Sequence, residues 1–147
     1  MRDKLSEERL NKLHPKVRDT FRKFIDECEL QNPEWTLRIS QGLRTFEEQN
    51  LLYQQGRTLP GKKVSNAKAG QSLHNYGLAI DLVELDDKVV DWNFDMRKLA
   101  PIAEKYGITC GSKFRSFPDL PHFEINFGKT WEYFYNLKKD KNGYVIL

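Results

Sequence analysis

Two short segments of this chain alternate apolar and polar residues with a period of two, and each sets ionisable side chains on its polar side. In residues 78–83, Leu78, Ile80 and Leu82 fall on one face of a strand, while Ala79, Asp81 and Val83 fall on the other. In residues 122–127, Phe123, Ile125 and Phe127 oppose His122, Glu124 and Asn126. Each segment reads as a strand that buries one face and offers polar side chains from the other. His74 stands seven residues before Asp81, a spacing that would point it away on an unbroken strand. A turn at Asn75-Tyr76-Gly77 removes that objection, because Asn and Gly tolerate the left-handed backbone of a sharp turn.

His74, Asp81 and His122 are therefore candidate ligands of one zinc ion, with Asp119 beside the metal. Two imidazoles and a carboxylate leave a fourth tetrahedral position for water, which a hydrolytic zinc site needs and a structural site avoids. On spacing alone the plainer reading stands equal to it: two amphipathic strands whose polar faces are solvated.

A chain of 147 residues has room for one domain with one sizeable core. No run approaches the roughly 18 to 20 apolar residues that span a bilayer, so no stable membrane association is expected. Residues 1–8 are charged and lack the apolar centre of a signal peptide, which predicts synthesis in the cytoplasm. The formal net charge of +3 is spread rather than striped, which argues against nucleic acid as a partner. Such a charge favours approach to an anionic cell wall, and an ordinary solvated surface explains it equally well. Cys28, on the apolar side of a predicted helix, and Cys110 read as buried free thiols. A cytoplasmic origin argues against a bridge between them.

Residues 1–34 read as helical scaffold. Ser6 is the expected N-cap of a short first helix, and Pro15 suits the first turn of a second. Val17, Phe21, Phe24, Ile25 and Cys28 recur at helical spacing as its core face, and Asn32-Pro33 ends it. Residues 35–127 read as the part that carries the chemistry, opening with a strand over 35–40. Thr45 and Glu48 form a capping box for a helix running to about Gln54 and closed by Gly56. Arg44 stands just before that helix, as a surface side chain or one turned into a cleft. Gln49 is either a site-supporting residue or part of a solvated helix face. Residues 57–71 read as a loop leading into Ser72. Asp86, Asp87 and Lys88 suggest a hairpin turn into Val89-Val90. Asn93 is the expected cap of the next helix, which Pro101 kinks or restarts. Phe114 and Phe117 line the cleft or close the core. Residues 128–147 read as a C-terminal helix and tail.

Taken together, Ser72-x-His74-x-x-Gly77-x-Ala79-x-Asp81 and Asp119-x-Pro121-His122-x-Glu124 resemble the zinc peptidases of the D-alanyl-D-alanine carboxypeptidase and L-alanyl-D-glutamate peptidase family, and within it the short bacteriophage endolysins. The likeness extends upstream through Gly42-Leu43-Arg44-Thr45, Glu48-Gln49, Leu52-Tyr53, Gly56-Arg57 and residues 64–67. It implies an α+β domain of the hedgehog and DD-peptidase type, with a small antiparallel sheet flanked by helices. It also implies Zn2+ as cofactor, held by His74, Asp81 and His122, and peptidoglycan stem peptides as partner of a monomer.

By the same resemblance Arg44 lies in the active site, neutralising charge on the scissile carbonyl or binding a substrate carboxylate. Ser72 hydrogen-bonds within the site, and no G-x-S-x-G signature makes it a nucleophile. Asp119 stands where the family places its catalytic carboxylate and is the expected base, with Glu124 as substitute base or as the partner orienting His122. The implied reaction is hydrolysis of the L-alanyl-D-glutamate bond by a lytic enzyme acting on the wall after release. The alternatives are a D-alanyl-D-alanine carboxypeptidase and a non-catalytic, zinc-stabilised wall-binding or phage structural module.

Overall fold

The computed structural model describes residues 3–114 and 118–147. Its sheet is organised on β2 (Ala79–Asp86), which runs antiparallel to β1 (Leu37–Gln41) on one side and to β5 (His122–Glu124) on the other. The short strand β4 (Thr109–Cys110) pairs with β5, and β3 (Val89–Val90) returns as a hairpin on the far end of β2. The order is β1-β2-β5-β4. Asp87 and Lys88 turn the hairpin with φ of 49° and 68°, the left-handed pair that matches the twist of the strands it joins.

The register carries the site. Ile80 lies opposite Phe123, and Asp81 lies opposite His122. Directly opposed residues share a face. The first pair therefore enters the core, with Ile80 fully buried and Phe123 nearly so, and the second faces the cleft.

Helices cover the core face. In α2 (Arg18–Gln31), Phe21, Phe24, Ile25 and Cys28 are fully buried, and Phe24 meets Phe123 at a ring distance of 5.4 Å. Removing either ring would cost about 3–5 kcal/mol. Cys28 and Cys110 are both free thiols in this core, and burial pushes the Cys28 thiol up to about 12. Among the described residues no helix is long and apolar enough to cross a membrane.

The expected capping box is present in α3 (Phe46–Gln54): Thr45 Oγ1 accepts from Glu48 N, and Glu48 Oε1 accepts from Thr45 N. Other boundaries differ from the sequence reading. Asp3, rather than Ser6, caps α1 (Lys4–Leu10), and Ser6 is a buried helical residue that accepts from Ile39 N. Pro15 precedes α2 by a turn instead of opening it. The first strand begins at Leu37, leaving Trp35 to pack edge-on against Phe94. Asp95, not Asn93, caps the 3₁₀ turn Met96–Leu99, after which Pro101 sits in the first turn of α4 (Ala100–Lys105). Proline here restarts the helix, because that position needs no N–H donor.

The largest departure is at β5, which stops at Glu124. Phe127 is 51 % exposed with φ of 53°, so it does not continue the core face. Asn126 ends the strand by turning its side chain back onto the chain, accepting from Gly128 N at 2.8 Å. Helix α5 (Trp131–Tyr135) follows, and Phe134 plugs it into the core.

Candidate metal centre

His74 is presented by the 3₁₀ turn Leu73–Tyr76. Ser72 Oγ caps that turn by accepting from His74 N, and Asn75 Oδ1 accepts from Ser72 N and Gly70 N. Gly77 then reverses the chain into β2 with φ of +69°. A Cβ at this residue would lie 2.6 Å from His14 N, so only glycine allows the turn to seat against residues 13 and 14. Arg44 is tied to the same turn through its backbone: its N donates to His74 O at 3.0 Å.

The two imidazoles and Asp81 converge. His74 Nδ1 lies 2.8 Å from Gly42 O, which makes it the protonated nitrogen and leaves Nε2, 3.2 Å from Asp81 Oδ1, to face the centre. His122 Nε2 lies 2.7 Å from Glu124 Oε1, and its Nδ1 lies 3.4 Å from Asp81 Oδ1. The three ligand-capable atoms fall within 4.8 Å of one another, and the rings meet edge-on at 5.1 Å. Each imidazole thus has one nitrogen engaged by an acceptor and the other turned inward, the arrangement by which outer partners orient metal-binding histidines. The residues fit a divalent metal with three protein ligands and an open position.

The electrostatics agree with a site built to hold positive charge. Burial acts to raise the Asp81 carboxyl, but hydrogen bonds to His122 and His74 and their charge hold it far below the usual carboxylate range. Burial acts to lower His122, yet its hydrogen bonds to Asp81 and Glu124 lift it to about 9. Glu124 is likewise held low by His122 despite its burial, and Asn126 Nδ2 donates to its second oxygen at 3.0 Å.

Asp119, Arg44 and Ser72 line the same cleft as the three candidate ligands. Asp119 is held in place by its backbone: its N donates to Gly111 O at 2.9 Å, and its O accepts from His122 N at 3.1 Å. A Cβ on Gly111 would meet Asp119 O at 2.1 Å, so the turn can close only on glycine. Much of Asp119 is open to the cleft, yet partial burial and the Asp81 charge raise its carboxyl above the ordinary value.

Arg44 is half-buried, and burial lowers its pKa against the opposing charges of Asp81, Glu48 and Asp119. Its Nη1 donates to Gln49 Oε1 at 2.9 Å, whereas its buried Nε has no partner among the described residues. Gln49 is fully buried and also donates to Ser65 Oγ and Ala67 O, which excludes the solvated helix face. Phe114 stands 5.6 Å from the His122 ring in the cleft wall, while Phe117 lies outside the described residues. Trp131 of α5 also lines the cleft, a placement for which the local sequence held no signal.

Residues 65–125 match the family described as D-alanyl-D-alanine carboxypeptidase. They span His74, Asp81, Asp119, His122 and Glu124. The chain is 38 % identical over 98 residues to the peptidoglycan L-alanyl-D-glutamate endopeptidase CwlK of Bacillus subtilis. That alignment covers 59 % of this chain and 59 % of CwlK. Among solved structures, the L-Ala D-Glu endopeptidase ChiX of Serratia marcescens superposes with a TM-score of 0.67 at 24 % identity, over 86 % of this chain and 91 % of ChiX. The L,D-carboxypeptidase DacB of Streptococcus pneumoniae gives 0.56 at 21 % identity, over 84 % and 77 %. At these identities the two structures speak for the fold.

Proposed function

We propose that this chain is a zinc peptidase that hydrolyses the L-alanyl-D-glutamate bond of peptidoglycan stem peptides, as a lytic enzyme of the phage endolysin kind. The observation that carries the reading is the convergence of His74 Nε2, Asp81 and His122 Nδ1 at the floor of a cleft walled by Arg44 and Asp119. The similarity to CwlK supports the choice of bond.

Bound there, zinc would lower the pKa of a water to about 7 and polarise the scissile carbonyl. The protein's own groups do the rest. Asp119, with its raised carboxyl affinity for protons, takes a proton from the attacking water and returns it to the leaving amine. Arg44, braced by Gln49, offers its guanidinium to a substrate carboxylate or to the oxygen on which charge develops. Ser72 keeps His74 at the correct height through its cap and adds a hydroxyl to the cleft wall. Glu124 stands on the Nε2 side of His122 with both oxygens engaged, so it acts as the partner that orients His122 and leaves the base to Asp119.

The test is mass spectrometry of purified muropeptides after incubation with the wild type, a chelated sample and Asp119→Ala. A product with a new N-terminal D-glutamate, absent from both controls, is the expected result. Release of terminal D-alanine would instead select the carboxypeptidase reading that the family description favours. No product from a metal-loaded wild type would leave a wall-binding module.

A further inference from the structure

The cleft is larger than a scissile dipeptide needs. Its volume is about 1590 Å³, whereas sites that enclose a drug-sized ligand hold roughly 300–1,000 Å³. Besides the histidine centre and Arg44, it is lined by residues of α3 and of the loop 57–67, which form its outer arm. Leu51, Leu59, Val64 and Lys63 are among these lining residues. The apolar side chains of Leu51, Leu59 and Val64 are 58 %, 41 % and 58 % exposed although all three line one cleft, and large apolar groups left in water within a cleft mark ligand contact.

The arm is preformed. Gln55 Nε2 donates to Lys62 O at 3.1 Å, Gly56 N to Leu59 O at 2.9 Å, and Arg57 Nη1 to Ser65 O at 2.9 Å. Gly56, with φ of +79°, lets the returning chain lie this close, since a Cβ would meet Lys63 N at 2.5 Å and Lys63 Cγ at 2.9 Å. The stem of Lys63 is thereby laid across the end of α3, and Lys63 makes no ion pair among the described residues. A tethered loop that keeps Leu59 and Val64 in water, in one cleft with Leu51 of α3 and the unpaired Lys63, is complementary to an alkyl chain ending in an anion.

We propose that this arm is a substrate subsite for an aliphatic side chain that ends in a carboxylate. Leu51, Leu59 and Val64 take its methylenes, and Lys63 Nζ takes its charge. The subsite rests on the peptidase reading, in which the stem peptide continues beyond the cleaved bond, and it would select among stem peptides by the residue placed there.

Calorimetry on the metal-free protein tests this without turnover. The probes are a stem tetrapeptide containing meso-diaminopimelate and its twin with the side-chain carboxylate amidated. The free carboxylate should bind roughly fivefold tighter, the scale of one partly solvated ion pair. Lys63→Ala should abolish the difference, Lys63→Glu should invert it, and Val64→Ser should weaken both peptides alike. Equal affinity of the wild type for the two peptides, a preference that survives Lys63→Ala, or no binding of either would overturn the subsite. Failure of the muropeptide digestion would overturn the peptidase reading alone, because binding is measured here in the absence of hydrolysis.

Discussion

Glu124 Oε1 lies 2.7 Å from His122 Nε2, and the imidazole therefore turns its Nδ1 toward Asp81. Strand parity places the two side chains on one face two residues apart, and Asn126 holds the carboxylate from behind. The orientation of one candidate ligand is thus decided by its own strand.

Glu124→Ala should therefore weaken zinc binding by about 10- to 100-fold, the usual cost of losing a partner that orients a ligating histidine. Glu124→Gln, which keeps an oxygen acceptor, should lose less. Competition with a chromogenic chelator measures both, and equal affinity in all three proteins would remove Glu124 from the site.

Asp119→Ala should lower kcat/KM by about 10²- to 10⁴-fold, the contribution of one general acid–base group, with zinc stoichiometry retained. Muropeptide turnover and metal content, measured on the same preparation, separate this outcome from a loss of metal.

Gly111→Ala drives a methyl group into Asp119 O, which lies 2.1 Å from the position of that carbon. Overpacking against backbone costs about 1–3 kcal/mol. The turn bearing Asp119 should move, so activity should fall further than urea unfolding alone accounts for.

Glu84 is 7 % exposed, and its Oε2 has no partner among the described residues. Burial and the neighbouring charges of Asp91 and Asp86 raise its carboxyl, while a hydrogen bond from the backbone of Thr36 opposes them. A folded pKa above the unfolded one means that this group's favourable contribution is present in acid and is lost as pH rises through the folded value. Glu84→Gln should therefore stabilise the protein at pH 7 by about 1 kcal/mol and leave it nearly unchanged near pH 4. Urea midpoints at the two pH values decide the matter.

What the sequence disclosed were features with a local cause. The alternation around Asp81, the Thr45–Glu48 box and the Pro101 restart each depend on neighbours within one turn or strand, and each is present in the fold. The misplaced boundaries share a different cause. Ser6 has the right chemistry for a cap, but Asp3 has the extended backbone that a cap requires. Phe127 kept the alternation going on paper, while the Asn126 side chain had already turned the chain. Gln49 and Trp131 were undetermined for a third reason. Their environments are supplied by residues 65–67 and by the cleft, far from them in sequence.

The pairing of Asp81 with His122 has a consequence for how this protein can be counted. Strand side chains change sides with every residue, so a chain collapsed one step out of register at this pair would put Asp81 and His122 on opposite faces, turning one of them inward and withdrawing Ile80 or Phe123 from the interior. Such molecules would be compact, soluble and silent. Metal uptake would then titrate correctly threaded molecules in a preparation, and any pressure to keep the chemistry would by the same stroke proofread the interior.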